Sequence, residues 1–302
     1  MKNFIKLCQK SQEQLKRFLS KELQKKYTDV REEDGFLYAQ GTFPVLLVAH
    51  MDTVHRALPV NLELDNESMT LSSPQGIGGD DRCGIYMILQ IIKRFPCSVL
   101  FTEDEEIGCV GARKFAKQPW VKDLQFNYMI ELDRAGWNDA VFYDCDNKDF
   151  EQFILQNFFE LKYGSYTDIC EIAPVVGCAA VNLSCGYYKA HTLNEYVNLR
   201  EMRQSIKEVI KLLMRTQEDN KYIYVERPRP LWDRYGGYDY DSYEYEYDLY
   251  GFFVLFTNEQ GMDAEEIYDG ASVEEVIGQW AIAHPSLSYN CIEDIVQDEC
   301  AL

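Results

Sequence analysis

The feature that most constrains the fold is a recurrence of polar clusters, each placed directly after a short apolar run. The spacing is 28 residues from Asp52 to Asp80, 26 from Asp80 to Glu106 and 27 from Glu106 to Asp133. A strand with its crossover helix occupies roughly 30 residues. Because open α/β sheets bind their ligands at the carboxyl ends of the strands, we expect these clusters to meet at that edge.

Apolar runs and helical periodicities alternate along the chain. Residues 45–49 are wholly apolar, which is typical of a strand buried on both faces of a parallel sheet. A helix with one buried face is indicated by the i, i+3, i+4, i+7 spacing of Ile85, Ile88, Leu89 and Ile92. This alternation predicts an α/β fold, a three-layer α/β/α sandwich with a largely parallel central sheet. Residues 1–27 are assigned to an amphipathic helix and residues 168–173 to a strand.

The charge distribution divides the 302-residue chain. The formal net charge is −20, and residues 226–302 carry 18 Asp and Glu against three Arg and no Lys, a net −15. We predict a catalytic domain over residues 1–218, a linker rich in tyrosine and acidic residues over 219–250 and a small acidic α+β appendage over 251–302. The linker is either solvated or a peptide-docking surface. Within the appendage we expect a strand, a helix and a strand, over residues 252–256, 273–283 and 289–296.

Charge and hydropathy exclude several classes of partner. The net negative charge argues against nucleic acid, and no apolar run reaches membrane-spanning length. The N-terminus has no secretory signal pattern. The ten cysteines form no C-x-x-C pair, which favours reduced thiols. We therefore expect a cytoplasmic protein without a nucleic-acid or membrane partner.

The candidate residues have the chemistry of a two-metal site. His50 and Asp52 lie two residues apart at a strand end and can face the same way. Glu105 and Glu106 are adjacent, so one carboxylate can bind metal while the other handles a proton. Histidine and carboxylate ligands suit paired Zn²⁺ or a similar ion, which activates a bridging water. The candidate ligand set is completed by Asp80, Asp133 and His191.

Each motif has a plainer interpretation by itself. An H-x-D sequence is commonly a hydrogen-bonded turn, a double Asp commonly caps a helix, and an acidic run is commonly solvated. His55 and His284 show no partner pattern and receive no role. The joint order and spacing of the motifs, rather than any one of them, favours a metal site.

Five motifs, in this order, resemble those of the co-catalytic dizinc exopeptidases, the superfamily of zinc aminopeptidases, tripeptidases and related carboxypeptidases and deacylases. The resemblance covers roughly residues 40–215. The motifs are HMDTVH at 50–55, GGDDRCG at 78–84, EDEEIG at 103–108, ELDRAG at 131–136 and HTLNEYV at 191–197.

The resemblance implies a ligand set. One metal ion would be bound by His50 and Asp133. The other would be bound by Glu106 and His191, and Asp80 would bridge both ions.

The resemblance also implies roles beyond the ligands. Glu105 would be the general base, and Asp52 would orient His50. The peptide bond between Asp80 and Asp81 would be cis.

The number of residues between the motifs limits which subtype of the superfamily the resemblance can imply. From Asp133 to His191 is 58 residues, too few for an inserted dimerisation domain, and 28 residues after Asp52 leave no room for the domain inserted in tetrahedral aminopeptidases. We expect a compact aminopeptidase-like hydrolase of small peptides with two divalent ions, Zn²⁺ first and Co²⁺ or Mn²⁺ as alternatives. A deacylase of N-acyl amino acids and a binding protein with a vestigial site stay open. The sequence does not determine the side-chain preference or the oligomeric state.

Overall fold

The computed structural model describes residues 2–156, 158–164, 166–217 and 220–227, and three strands between 250 and 298. The chain divides into two compact units, Met1–Pro228 and Arg229–Leu302. Most of the predicted linker lies outside the described residues, so the proposed domain boundaries stay a prediction.

Helices and strands alternate along the first unit. The described helices are α1 (Lys2–Cys8), α2 (Gln12–Leu23), α3 (Gly79–Ile91), α4 (Val110–Ala116), α5 (Lys148–Leu155), α6 (Asp168–Val176) and α7 (Leu199–Arg215). The described strands of this unit are β1 (Val30–Glu33), β2 (Phe36–Ala39), β3 (Phe43–His50), β4 (Glu63–Asp65), β5 (Thr70–Ser72), β6 (Cys97–Thr102), β7 (Tyr128–Arg134), β8 (Asp139–Val141), β9 (Glu160–Leu161), β10 (Ala180–Ser184), β11 (Tyr187–Tyr188) and β12 (Tyr196–Asn198).

The main sheet has eight strands in the order β1-β2-β6-β3-β7-β10-β8-β9. Its four central strands, β6, β3, β7 and β10, run parallel to one another. Strands β2 and β8 join this core in the antiparallel direction. The predicted largely parallel central sheet is therefore confirmed.

Both faces of this sheet are covered by helices. Alternate residues of a strand point to opposite faces, and in β3 Val45, Leu47 and Ala49 pack in a cluster with buried residues of α1, α2, α3, α5 and α7. Leu46 and Val48 of the same strand pack with residues of α4 and α6. The result is the predicted three-layer α/β/α sandwich.

The strand order brings the predicted site together at one edge of the sheet. Strands β6, β3 and β7 are neighbours, with His50 in register with Thr102 and Val48 in register with Glu131. The polar stretches that follow or end these strands therefore start side by side. A second sheet, ordered β11-β12-β5-β4, supplies the hairpin loop 189–195 between β11 and β12.

Two local predictions are wrong. Residues 168–173 form the start of helix α6 rather than a strand, because Ile169, Ile172 and Ala173 have the i, i+3, i+4 spacing of a buried helical face. The single N-terminal helix is two helices. The first helix ends at Cys8, and Ser11 caps α2 in a capping box with Gln14.

The described part of the second unit is a three-stranded antiparallel sheet. Its strands are β13 (Tyr250–Thr257), β14 (Asp263–Gly270) and β15 (Ile292–Asp298), with β13 in the centre. The strands predicted at 252–256 and 289–296 correspond to β13 and β15. The helix predicted at 273–283 lies outside the described residues.

Two further observations concern the described residues. None of their helices combines the length and apolar character needed to cross a membrane. Their eight cysteines are free thiols, and seven of these are buried.

The contact between α3 and the sheet supports the site and can be tested by truncation. Ile88 is fully buried, so we expect Ile88→Ala to lower the free energy of unfolding by about 2–5 kcal/mol. Val60 is 74% exposed, and Val60→Ala should change it by no more than about 0.5 kcal/mol. Denaturant unfolding measures both, and equal effects would contradict this packing.

Candidate metal centre

The end of β3 presents His50 with its orienting carboxylate. His50 is buried, and its Nδ1–H donates to Asp52 Oδ1 at 3.1 Å. The Asp52 carboxylate also accepts the backbone N–H groups of Glu105 and Glu106, both at 3.0 Å. Asp52 therefore fixes the ring of His50 and ties the β3 end to the loop after β6.

The glycine-rich turn places Asp80 and Asp81 at the start of α3. The backbones of both residues are non-helical, and the peptide bond between them is cis, as the resemblance implies. Asp81 turns into the protein, where its carboxylate accepts the N–H groups of His50 at 3.3 Å and Gly84 at 2.8 Å. Asp80 is left to face the site.

Arg82 locks this turn to the end of β3. Its guanidinium is buried and donates to the carbonyl oxygens of Met51 at 2.8 Å, Asp52 at 3.0 Å and Lys10 at 3.2 Å. Because a buried cation needs such partners, Arg82 holds the backbone that carries His50 against the helix that carries Asp80.

The acidic run after β6, residues 103–106, contains two residues that make structural contacts and two that face the candidate site. Glu103 pairs with Lys16 and accepts the N–H of Gly35, and Asp104 accepts from Gln12 at 3.0 Å. Glu105 and Glu106 follow at the loop held by Asp52. The solvated-loop interpretation therefore does not describe these last two residues.

Asp133 at the end of β7 is held from several directions. Asn182 accepts its backbone N–H at 2.9 Å, and Thr167 Oγ1 donates to its Oδ2 at 3.3 Å. Tyr187 Oη lies 3.4 Å from its Oδ1 as a further donor. These contacts aim the carboxylate at His50.

The β11–β12 hairpin loop supplies His191. The side chain is half exposed, and the residue has a positive φ of 62°, which is uncommon outside glycine and indicates a constrained loop. Its neighbour Thr192 donates to the carbonyl of Lys189 at 2.8 Å and tightens this turn.

These side chains converge in two groups that share Asp80. His50 Nε2 lies 2.9 Å from Asp80 Oδ1 and 3.3 Å from Asp133 Oδ1. His191 Nε2 lies 3.3 Å from Asp80 Oδ2 and 3.0 Å from Glu106 Oε2. In each group the candidate ligand atoms all lie within 4.8 Å of one another. The two oxygens of Asp80 thus face two different histidines.

The donor chemistry of both groups fits a bound cation. With Nδ1–H donated to Asp52, a neutral His50 ring directs its Nε2 lone pair at carboxylate oxygens, which is favourable only with a proton or a metal cation between them. His191 meets two carboxylates in the same way. Glu106 Oε1 is buried and has no hydrogen-bond partner among the described residues. Two histidines and three carboxylates are suitable ligands for divalent ions.

The pKa shifts of the two histidines also indicate that both ligand groups favour a positive charge. Burial acts to lower the pKa of His50, but the carboxylates of Asp133 and Asp52 outweigh it and raise that pKa well above its usual value. Hydrogen bonds to Asp80 and Glu106 raise the pKa of His191 to about 11. Each group therefore favours positive charge at its histidine, and a bound cation would supply that charge while the histidine stays neutral.

Glu105 lies beside the two groups rather than in them. It forms a third cluster with Cys109 and Asp168, in which Cys109 Sγ–H donates to Glu105 Oε1 at 3.5 Å. Burial raises the pKa of Glu105 to about 9 and that of Asp168 to about 6. Glu105 can therefore hold a proton at neutral pH, as a general acid–base group must at one stage of its cycle.

Every predicted site residue reaches this region, and three further residues were not predicted to act there. Arg82 and Glu195 stand inside the GGDDRCG and HTLNEYV motifs, and His55 ends HMDTVH. Their partners are backbone groups or residues far along the chain, so spacing carries no signal for them. Only their membership of the motifs could have drawn attention to them.

Comparison with known proteins supports the resemblance. Residues 38–165 match the family model described as peptidase family M28. No curated protein matches the chain by sequence. This match confirms the predicted superfamily of co-catalytic exopeptidases and the predicted class of enzyme, a metal-dependent exopeptidase.

Solved structures share the fold at low sequence identity. The aminopeptidase PepT of Bacillus cereus matches with a TM-score of 0.58 and 15% identity, over 70% of this chain and 96% of that one. A tripeptidase of Staphylococcus aureus matches with a TM-score of 0.54 and 14% identity, over 70% and 95%. A TET aminopeptidase from a marine sediment archaeon of the Thaumarchaeota matches with 0.53 and 14%, over 72% and 96%.

The two halves of the acidic run allow a matched test of the site. We expect Glu106→Gln to weaken the binding of divalent ions by more than the roughly 10–100-fold typical of an outer partner, because it removes a candidate ligand. Asp104→Asn removes the same charge from the same loop, two residues before Glu106, and should leave the affinity for divalent ions unchanged. Competition with a chromophoric chelator measures both, and equal affinities would refute the ligand role.

Proposed function

We propose, from the match of residues 38–165 to peptidase family M28, that this protein is a metal-dependent aminopeptidase acting on short peptides. The observation that carries the proposal is the Asp80 carboxylate, whose two oxygens face His50 and His191 separately. A carboxylate in that position can bridge two ions. Bridged ion pairs are a common device for hydrolysing amide and phosphate bonds.

The candidate ligands divide between two ions. His50 and Asp133 would hold one ion, Glu106 and His191 would hold the other, and Asp80 would be shared by the two groups. Zinc is the metal that these nitrogen and carboxylate ligands favour, with cobalt and manganese as alternatives.

Around the ions, the chain's own residues handle orientation and protons. Bound metal ions supply a polarised substrate carbonyl and an acidified water. Glu105 takes the proton of the attacking water and delivers it to the amine nitrogen that leaves. Asp52 keeps the Nδ1 proton on His50, which leaves Nε2 free to bind.

The charge of the site favours a substrate with a free amino terminus. The carboxyl groups of Asp52, Asp80, Glu105, Glu106 and Asp133 line the site, and that of Asp168 lies beside Glu105, so its walls are acidic. A substrate α-ammonium group complements that charge, whereas an N-acyl group does not. The solved relatives named as an aminopeptidase and a tripeptidase are in keeping with this choice. No described residue favours the deacylase or the vestigial binding protein.

The setting of the enzyme is part of the same proposal. The eight described cysteines are unpaired thiols, as is usual in a reducing compartment, and we place the protein in the cytoplasm. Its partners are peptide substrates.

Removing the carboxylate of Glu105 tests the proposed chemistry. Glu105→Gln keeps the size of the side chain and both ligand groups, so we expect divalent ions to bind with unchanged affinity. The catalytic rate constant should fall by roughly 10²–10⁴-fold because the proton carrier is lost. Steady-state kinetics with metal analysis of the same sample measures both, and a variant with near wild-type turnover would refute the role of Glu105.

Substrate choice separates the proposal from a deacylase. We expect turnover of aminoacyl arylamides and short peptides, with activity lost when the substrate amino group is acetylated. Chelator treatment should abolish the activity and added zinc should restore it. Faster hydrolysis of N-acyl amino acids than of free peptides would exclude an aminopeptidase.

A further inference from the structure

A buried carboxylate outside both ligand groups grips the turn that carries Asp80. Glu195 is fully buried, and its Oε1 accepts the backbone N–H of Asp80 at 2.9 Å. Its Oε2 accepts the N–H of Gly78 at 2.8 Å and lies 2.6 Å from His55 Nε2, which donates its proton. Three donors thus satisfy one carboxylate, and one of them belongs to the residue shared by both ligand groups.

The glycine turn is shaped around this pair of side chains. Gly76 has a φ of +79°, and a Cβ there would lie 2.2 Å from His55 Nδ1. A Cβ on Gly79 would lie 2.8 Å from Val197, 2.9 Å from Tyr187 and 3.1 Å from Glu195 Oε1. A side chain at Gly76 would therefore displace His55, and one at Gly79 would crowd Glu195 and its neighbours. The close fit indicates that the turn, His55 and Glu195 form one packed unit.

A simpler role for Glu195 is to cap helix α3. The N-cap residue, Gly78, has no side chain to accept the first N–H groups, and the Glu195 carboxylate does so instead. That role stabilises the helix, but it does not require a donor on Asp80 itself. Because the accepted N–H is that of Asp80, a shift of Glu195 moves the Asp80 carboxylate relative to both histidines.

The position of Glu195 in the chain links it to the last ligand. It follows His191 by four residues in the hairpin loop 189–195, and the next strand, β12, packs in the second sheet. In this loop, the His191 ring lies in one ligand group, and the Glu195 carboxylate contacts the backbone of Asp80, the residue that both groups share. One loop therefore sets the geometry of both groups.

We propose that Glu195, held by His55, is a positioning residue that sets the affinity of the site for its pair of metal ions by fixing Asp80. The inference rests on the proposed function, since it concerns the same metal site. Neither residue touches a candidate metal position, so both act through Asp80. Outer partners of this kind commonly tune metal affinity by 10–100-fold.

The test measures metal binding directly in the full-length protein. Glu195→Gln keeps the side-chain volume but turns one oxygen into an NH₂ group that faces the N–H donors. We expect zinc affinity, from competition with a chromophoric chelator, to fall by about 10–100-fold. Excess zinc should recover most of the lost turnover, because the reacting groups are untouched. Unchanged affinity would overturn the proposal.

A second variant removes the donor without touching the carboxylate. His55→Phe keeps a ring against Gly76 but cannot donate to Glu195, and we expect a loss of zinc affinity of about 10-fold. Near-ultraviolet circular dichroism of the metal-free protein shows whether Glu195→Gln folds. If it does not fold, His55→Phe tests the proposed effect on zinc affinity in its place. A wild-type affinity in His55→Phe would overturn the part assigned to His55.

The control is a buried glutamate elsewhere on the first unit. Glu208 on α7 is 8% exposed and accepts from Gln204 and Lys211, so Glu208→Gln should leave zinc affinity unchanged. A wild-type protein that binds no divalent ion would refute the proposed function and this inference together. A wild-type protein that binds zinc, with Glu195→Gln equal to it, would refute the inference alone.

Discussion

The site depends on one shared carboxylate that lies between two histidines. Asp80 is almost fully buried, and burial by itself favours its neutral form. Hydrogen bonds with His191 and His50 outweigh burial and hold the pKa of Asp80 well below its usual range. The fold therefore stabilises the charged form of the Asp80 carboxylate. That carboxylate needs a positively charged partner beside each of its two oxygens. Metal ions in both groups would meet that requirement.

Much of the surrounding structure serves to hold that carboxylate in place. Arg82 ties the turn to the end of β3, Asp81 accepts the N–H of His50, and Glu195 accepts the N–H of Asp80. These contacts come from three separate parts of the chain. An exopeptidase site needs its ligands placed to within about 0.5 Å, and backbone hydrogen bonds to buried side chains give that rigidity.

The parallel sheet explains why the ligands can come from distant parts of the sequence. Strands β3, β6 and β7 end side by side, so the residues that follow them need only short loops to meet. Asp80 and His191 are the exceptions, since Asp80 comes from the glycine turn that opens α3 and His191 comes from a hairpin loop that leaves it half exposed. The loop reaches the site because Glu195 docks it against the glycine turn. The ligand set therefore combines a rigid platform with one docked loop.

The sequence by itself determined the layered fold and identified residues that meet. Spacing near the length of a strand and its crossover helix accounts for His50, Glu106 and Asp133, which end or follow neighbouring strands of the main sheet. It does not account for Asp80, which lies on the turn that opens α3, after β5 of the second sheet. The sequence prediction was wrong where the local pattern is ambiguous. The apolar run at residues 168–173 has helical spacing but also suits a strand. Only its packing against the sheet selects the helix, α6. Ser11 divides the N-terminal helix through a local capping box. The supports of the site, Arg82, His55 and Glu195, were decided by tertiary structure alone, because their partners are backbone groups and side chains 30 to 140 residues away, and no periodicity records such contacts.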